Sequence, residues 1–435
     1  MLFQLVEPYL VLNMTQISLD LINTETDKAV NTMNLLSGEE IKSISSVASK
    51  SNSISDKEIN DSYLKGEIRI VTEQARYPLD TIPNLLNSGK YNLNPEYQRR
   101  KRWSIQQKSR LIESFIINVP IPPIFLYEVN YAEYEVMDGL QRLTSIKEFY
   151  DGDFRLEGLE QWPELNGRTY QKLPEKIREG IDRRYLSSIV LLNETAKTPE
   201  QADFLKQVVF GRLNSGGDKL TAQESRNALY SGKFNALCIE LSKNDNFRKL
   251  YGFTPYEFSN GILINESDLL KDDSYRKMED VELVLRFFAY RQYQKLSSYN
   301  SQEKFLDDFL NQANRFNDNV LAELIVIFEK TVEIIYHVFG ESAFYMPDGE
   351  REKTTPTKTV YDPLMHSISK VLDKETLILS KSTELRDNKY TDKALLKKPN
   401  KERNNDLFDG KYNSKADVEA RVNYFDNYID SILKS

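Results

Sequence analysis

The chain has 435 residues, 40% of them hydrophobic and 29% charged, which places it among globular proteins with enough length for about two or three domains. Its formal net charge of −8 excludes a general electrostatic attraction to nucleic acid or to an anionic membrane, so any DNA contact must come from a local patch. One cysteine, Cys238, excludes an intramolecular disulfide framework, and two histidines, His337 and His366, argue against a His/Cys zinc cluster; both fit a reducing cytoplasm.

The opening MLFQLVEPYLVLN is apolar but interrupted by Glu7 and Pro8, and it lacks a basic segment and a small-residue cleavage site. It reads as a short strand, or as an upstream extension if translation begins at Met14. No apolar run is long enough to span a bilayer, so no membrane partner is expected. From Ser37 to Ser62 the composition is that of a mobile linker or a marginal helix. Ile68 to Val71 is read as a first strand, and Thr81 to Leu86 as the start of a short helix that stops at Gly89.

Tyr91 to Trp103, YNLNPEYQRRKRW, is an extended segment ending in Arg99, Arg100, Lys101 and Arg102, with Tyr97 and Trp103 close on either side. A charge run is commonly a solvated face; in an otherwise acidic chain and beside aromatic rings, an anion-binding role gains weight. Ser104 and Gln107 form a capping box, and Leu111, Ile112, Phe115, Ile116 and Val119 give the following helix one apolar face. Ile121 to Glu128 reads as a strand led in by two prolines.

Glu133 to Tyr150, EYEVMDGLQRLTSIKEFY, reads as a strand, a tight turn at Asp138-Gly139, and a helix with Leu140, Leu143, Ile146 and Tyr150 on one side. The first turn of such a helix has unpaired N–H groups and the positive end of the dipole, which suits a phosphate or another anion. Arg142 adds a forked cationic donor. The plain alternative has Asp138 capping the helix and Arg142 pairing with a surface carboxylate. The residues alone leave both readings open.

Asp153 to Arg184 is a variable excursion, and Tyr185 to Leu192 a buried strand. A helix starts at Thr198, with Phe204, Leu205, Val208, Val209 and Leu213 on its apolar side, and runs into FGRLNSGGDKLTAQE. There Asn214 and Gly216-Gly217 permit a close approach to a ligand or an ordinary helix connection, and Thr221 with Glu224 makes another capping box. From Tyr275 onward the pattern is helical, with apolar faces on Val281 to Ala289, Phe305 to Leu310 and Leu321 to Ile335. Gly340 to Thr359 reads as an exposed loop, Lys370 to Leu385 as a weaker helix, and Val418 to Leu433 as an amphipathic segment that docks back on the bundle.

Three stretches, NPEYQRRKRWSIQQKSRLIESFIINVPIPPIFLYE, YEVMDGLQRLTSIKEFY and VVFGRLNSGGDKLTAQESRNAL, together resemble the N-terminal domain of GmrSD-type restriction systems, within the ParB/sulfiredoxin-like superfamily. The family signature is usually Asp-Gly-Gln-Gln-Arg; this chain has Asp138-Gly139-Leu140-Gln141-Arg142. The resemblance implies an α+β fold with three parts: an extension over 1–64, a ParB/sulfiredoxin-like nucleotide-binding domain over 65–250, and a helical domain over 251–435. It implies a nucleoside triphosphate as ligand, with Mg²⁺ as a candidate ion. By position, Asp138, Gln141 and Arg142 become candidate catalytic residues and Asp138 a candidate metal ligand. Tyr97, Gln98, Arg99, Gly139, Arg212 and Asn214 become candidate nucleotide-binding residues.

The corresponding sulfiredoxin turn carries a nucleophilic cysteine, whereas Cys238 falls on a helix outside this turn. Many relatives carry a C-terminal HNH nuclease; neither His337 nor His366 has the company such a site requires. The expectation is a cytoplasmic, nucleotide-binding and NTP-hydrolysing component of a prokaryotic defence system acting on foreign DNA, with DNA and a separate nuclease or effector subunit as further candidate partners. The alternatives are a non-catalytic nucleotide- or DNA-binding switch, and a nuclease using the ParB-like domain itself.

Overall fold

The computed structural model describes residues 35–42, 55–65, 70–93, 100, 103–192, 198–213, 220–348, 351–390, 407–408 and 414–435. The chain separates into two compact units, residues 49–229 and residues 1–48 with 230–435. Mixed α and β structure with a small sheet is followed by a helical C-terminal region, the expected α+β class.

In the unit of residues 49–229, a short helix α1 (Asp56–Lys65) precedes β1 (Thr72–Pro78). Of the expected strand Ile68–Val71, Ile68 and Arg69 lie outside the described residues; β1 starts just after it, in a segment whose polar, charged sequence gives no burial pattern because β1 is an edge strand. Then come α2 (Ile82–Asn87), β2 (Tyr91–Asn92), α3 (Ile105–Ile116), β3 (Ile124–Asn130), β4 (Glu133–Asp138), α4 (Leu140–Asp151), α5 (Glu175–Asp182), β5 (Tyr185–Leu191), α6 (Pro199–Leu213) and α7 (Ala222–Leu229). The sheet order is β1-β5-β3-β4-β2, with β3 parallel to β5, β2 parallel to β4 and the other pairs antiparallel.

Period-two alternation splits the strand residues between two cores. Ile124, Leu126, Val136, Leu186 and Val190 join residues of α2, α3 and α4 in the larger one. Met137 and Leu191 join Phe210 of α6 in the smaller, with Phe125, Tyr127, Val209, Leu220 and Ala228 packed around them. The capping box at Ser104 and Gln107 forms as expected, and so does the reciprocal pair of Thr221 and Glu224. Within the excursion after α4, Glu113 of α3 accepts the backbone N–H groups of Glu160, Gln161 and Trp162, which fastens that loop to the helix.

The other unit is built on α8 (Lys233–Leu241), α9 (Asp245–Tyr251), the hairpin β6 and β7 (Phe258–Ser259, Ile262–Leu263), α10 (Glu266–Leu269), α11 (Asp273–Arg276), α12 (Glu279–Tyr290), α13 (Gln302–Ala313) and α14 (Asp318–Phe339). The stretch Gly340 to Thr359, expected as an exposed loop, carries a hairpin of β8 (Tyr345–Asp348) and β9 (Arg351–Pro356), and its last two residues begin the next helix. Next is α15 (Lys358–Ser369), buried from Thr359 to Ser369 and packed on α12, α14 and the final helix. Val360, Tyr361, Leu364, Met365 and Ile368 recur at helical spacing, but Pro363 in the interior and the equally buried Asp362, His366 and Ser367 obscure that stripe in the sequence. In place of one weak helix over Lys370–Leu385 there are two short ones, α16 (Glu375–Ser380) and α17 (Ser382–Asp387). The last helix, α18 (Lys415–Leu433), docks on α15 as expected.

Buried ion pairs organise this unit, among them Arg248 with Asp280 at 2.9 Å. Arg286 donates to Asp362, and Arg291 makes a bidentate pair with Glu39 at 2.6 and 2.9 Å. The Arg291–Glu39 pair anchors the start of the Ser37–Ser62 stretch, for which composition predicts a mobile linker or a marginal helix; the helix α1 begins near its other end, at Asp56.

Candidate functional site

β4 and α4 are joined by a single residue, Gly139, at φ +95°. A Cβ there would lie 2.3 Å from Ile124 Cγ2, so both backbone conformation and space require glycine. Gly139 is also the N-cap of α4 and offers no side-chain acceptor. Leu143 N–H makes the first hydrogen bond back into the turn, to Gly139 O at 3.0 Å, so the N–H groups of Leu140, Gln141 and Arg142 precede the helical ladder.

Asp138 does not cap the helix. Its Oδ2 accepts from Arg142 Nη2 at 2.5 Å, and the pair is unequal in exposure: the arginine side chain is 12% exposed and the carboxylate 51%. The other guanidinium nitrogen donates to the carbonyls of Pro122 and Pro123. Arg142 therefore ties the proline lead-in of β3 to the first turn of α4, and its carboxylate partner is the signature's own aspartate. Gln141 Oε1 accepts the N–H of Trp103 at 3.1 Å, immediately after the basic run. The signature thus holds together three pieces of chain that sequence separates: the end of the basic segment, the double proline and the strand-helix turn. In sequence the double proline reads only as a strand lead-in, and no local signal marks its carbonyls as the acceptors of Arg142.

Tyr97, Gln98, Arg99 and Asn214 lie outside the described residues, as do Lys101, Arg102 and Gly216-Gly217. Of the four-residue basic run, Arg100 is described and is only 3% exposed, which departs from a uniformly solvated face. Arg212 is exposed in the last turn of α6.

Helix α6 reaches β4 on the face of the smaller core. Lys206 meets Glu135, and further along both elements Phe210 joins the cluster that contains Met137. From Lys206 to Phe210 the helix rises about 6 Å, close to the span from Glu135 to Met137 on the strand. The two elements therefore run in the same direction, carrying Arg212 towards the end of the sheet where Asp138 and Gly139 lie. Of the apolar side expected for α6, Leu205 is buried and Val209 packed, but Phe204 is 49% exposed; Lys206 takes an inward position instead.

Among the described residues no group of three or more His, Cys, Asp or Glu side chains could hold a metal ion. Asp138 can supply one carboxylate oxygen, with Oδ2 already engaged by Arg142. That fits an ion held mainly by phosphate and water, as Mg²⁺ commonly is. Basic and acidic residues balance within residues 49–229, so the net negative charge resides in the rest of the chain and does not set this unit against an anion. Cys238 is fully buried in α8 of the other unit, and burial raises its thiol pKa well above the ordinary value. Among the described residues no helix is long and apolar enough to cross a membrane.

Residues 82–231 match the family model of the GmrSD restriction endonuclease N-terminal domain. No curated protein and no solved structure matches the chain.

Proposed function

We propose that the chain, whose residues 82–231 match the family model of the GmrSD restriction endonuclease N-terminal domain, is the nucleotide-binding component of a restriction system acting on foreign DNA. Its site is the first turn of α4. The observation that carries this reading is the N-cap at Gly139, which gives the positive end of α4 no side-chain acceptor, beside the Asp138–Arg142 pair. A triphosphate placed there meets the N–H groups of Leu140 to Arg142, with Arg212 and Trp103, whose N–H Gln141 accepts, as flanking residues. Bound Mg²⁺ would neutralise phosphate charge, and Asp138 is the residue to hold it. Phosphoryl transfer depends mainly on such positioning and charge neutralisation, so hydrolysis is the reaction class proposed. DNA and a nuclease or effector subunit complete the proposed system.

A second reading, binding without turnover, is favoured by one contact set. The guanidinium of Arg142 is already committed to Asp138, Pro122 and Pro123, so it serves first as a clamp. Phosphate release from ATP, GTP, CTP and UTP, with and without DNA, separates the two. Turnover lost in Arg142→Ala, in a variant that still folds, supports hydrolysis. Equal, background-level release by wild type and variant together with retained binding supports the switch.

A further inference from the structure

The sheet-facing stripe of α6 contains an anomaly. Ala202, Leu205, Val209 and Phe210 face an apolar layer, yet Lys206 lies among them with its side chain 11% exposed. Its Nζ donates to Glu135 Oε2 at 2.6 Å, and Glu135 is 8% exposed on β4. The ammonium also lies 5.9 Å from the centre of the Tyr127 ring, and Tyr127 is the residue opposite Glu135 in the β3–β4 ladder.

Taking two charges out of water costs more than packing two apolar side chains in the same volume, so a pair of this kind is weak evidence for stability and better evidence for a fixed register. Its location supplies the reason for a register. Glu135 lies three residues before Asp138, and Lys206 six before Arg212. The pair spans the two elements upstream of both motifs, which run in the same direction from it. A one-turn slip of α6 would unpair both buried charges, whereas an apolar contact would tolerate sliding.

We propose that Glu135 and Lys206 are positioning residues that lock α6 to β4, setting Arg212 in register with the Asp138-Gly139 turn for a nucleoside polyphosphate. The inference rests on the reading of that turn as a nucleotide site. N-methylanthraniloyl derivatives of ATP, GTP, CTP and UTP are titrated into the full chain and into Lys206→Met, Glu135→Leu, their double variant and Lys206→Arg. Each single variant loses thermal midpoint, because it leaves one buried charge alone, and the apolar double recovers it. Affinity in the double stays about tenfold weaker than wild type, since register is lost, while Lys206→Arg binds within about threefold. Midpoint and affinity recovering together in the double would overturn the positioning role. If the wild type binds none of the four nucleotides, the nucleotide reading fails by itself, and amide exchange in the ligand-free protein decides the lock. Exchange at both 138–142 and 207–213 faster by about fivefold or more in the double supports it; unchanged exchange at either segment overturns it.

Discussion

Gly139 is where single-residue physics and the proposed function meet most closely. Any side chain there must adopt a left-handed backbone and also displace Ile124, a fully buried core residue. Gly139→Ala is therefore expected to destabilise the unit of residues 49–229 by about 2–4 kcal/mol, measured by urea unfolding; a change below about 0.5 kcal/mol would show that the turn relaxes freely. In the other unit His366 poses a different problem. Its ring is fully buried against Tyr293, neither nitrogen has a hydrogen-bond partner, and burial followed by the Lys370 and Arg291 charges lowers its pKa to about 3. The folded pKa lies below the unfolded value, so between the two the unfolded chain takes up a proton that the folded one does not. Stability is then fully present above about pH 6.5 and falls as pH drops from there towards 3, by up to roughly 3–5 kcal/mol. His366→Leu should flatten that part of the pH–stability curve; an unchanged slope would assign the acid sensitivity to other groups.

At the scale of elements, the sequence was most legible where local chemistry fixes structure. The capping boxes at Ser104 and Thr221 and the β4-turn-α4 junction were read directly, because turn glycine, cap residues and period-3.6 apolar positions all act within a few residues. α15 is legible only in part: Val360, Tyr361, Leu364, Met365 and Ile368 keep the helical period, but the interior Pro363 argues against a helix, and the burial of Asp362 and His366 depends on distant helices that no local window contains. The site was legible in its turn but not in its wiring: the bonds from Arg142 to Pro122 and Pro123, and from Gln141 to Trp103, join residues about twenty and forty positions apart. That wiring has a consequence for α3. Gln141→Leu removes the acceptor of the Trp103 N–H just before the Ser104 cap, at an expected cost of about 1–2 kcal/mol and with a shift in Trp103 fluorescence in a Trp162→Phe background. Emission identical to the parent would place the Trp103 segment under some other control.

Across the whole molecule, charge and chemistry are divided between the units. The balanced unit of residues 49–229 holds the glycine turn, its uncapped helix and the Glu135–Lys206 pair, whereas the net negative charge belongs to the helical unit with its buried ion pairs at Arg248, Arg286 and Arg291. The proposed anion site therefore lies in the unit whose charges balance, where no net negative charge opposes an anion. The central claim is that the uncapped end of α4 receives a triphosphate. A crystal structure of the full chain with a non-hydrolysable triphosphate tests it most directly. The account predicts phosphate density over the N–H groups of Gly139 to Arg142, with Arg212 turned towards it; phosphate density elsewhere on the chain, with that turn unchanged, would contradict it.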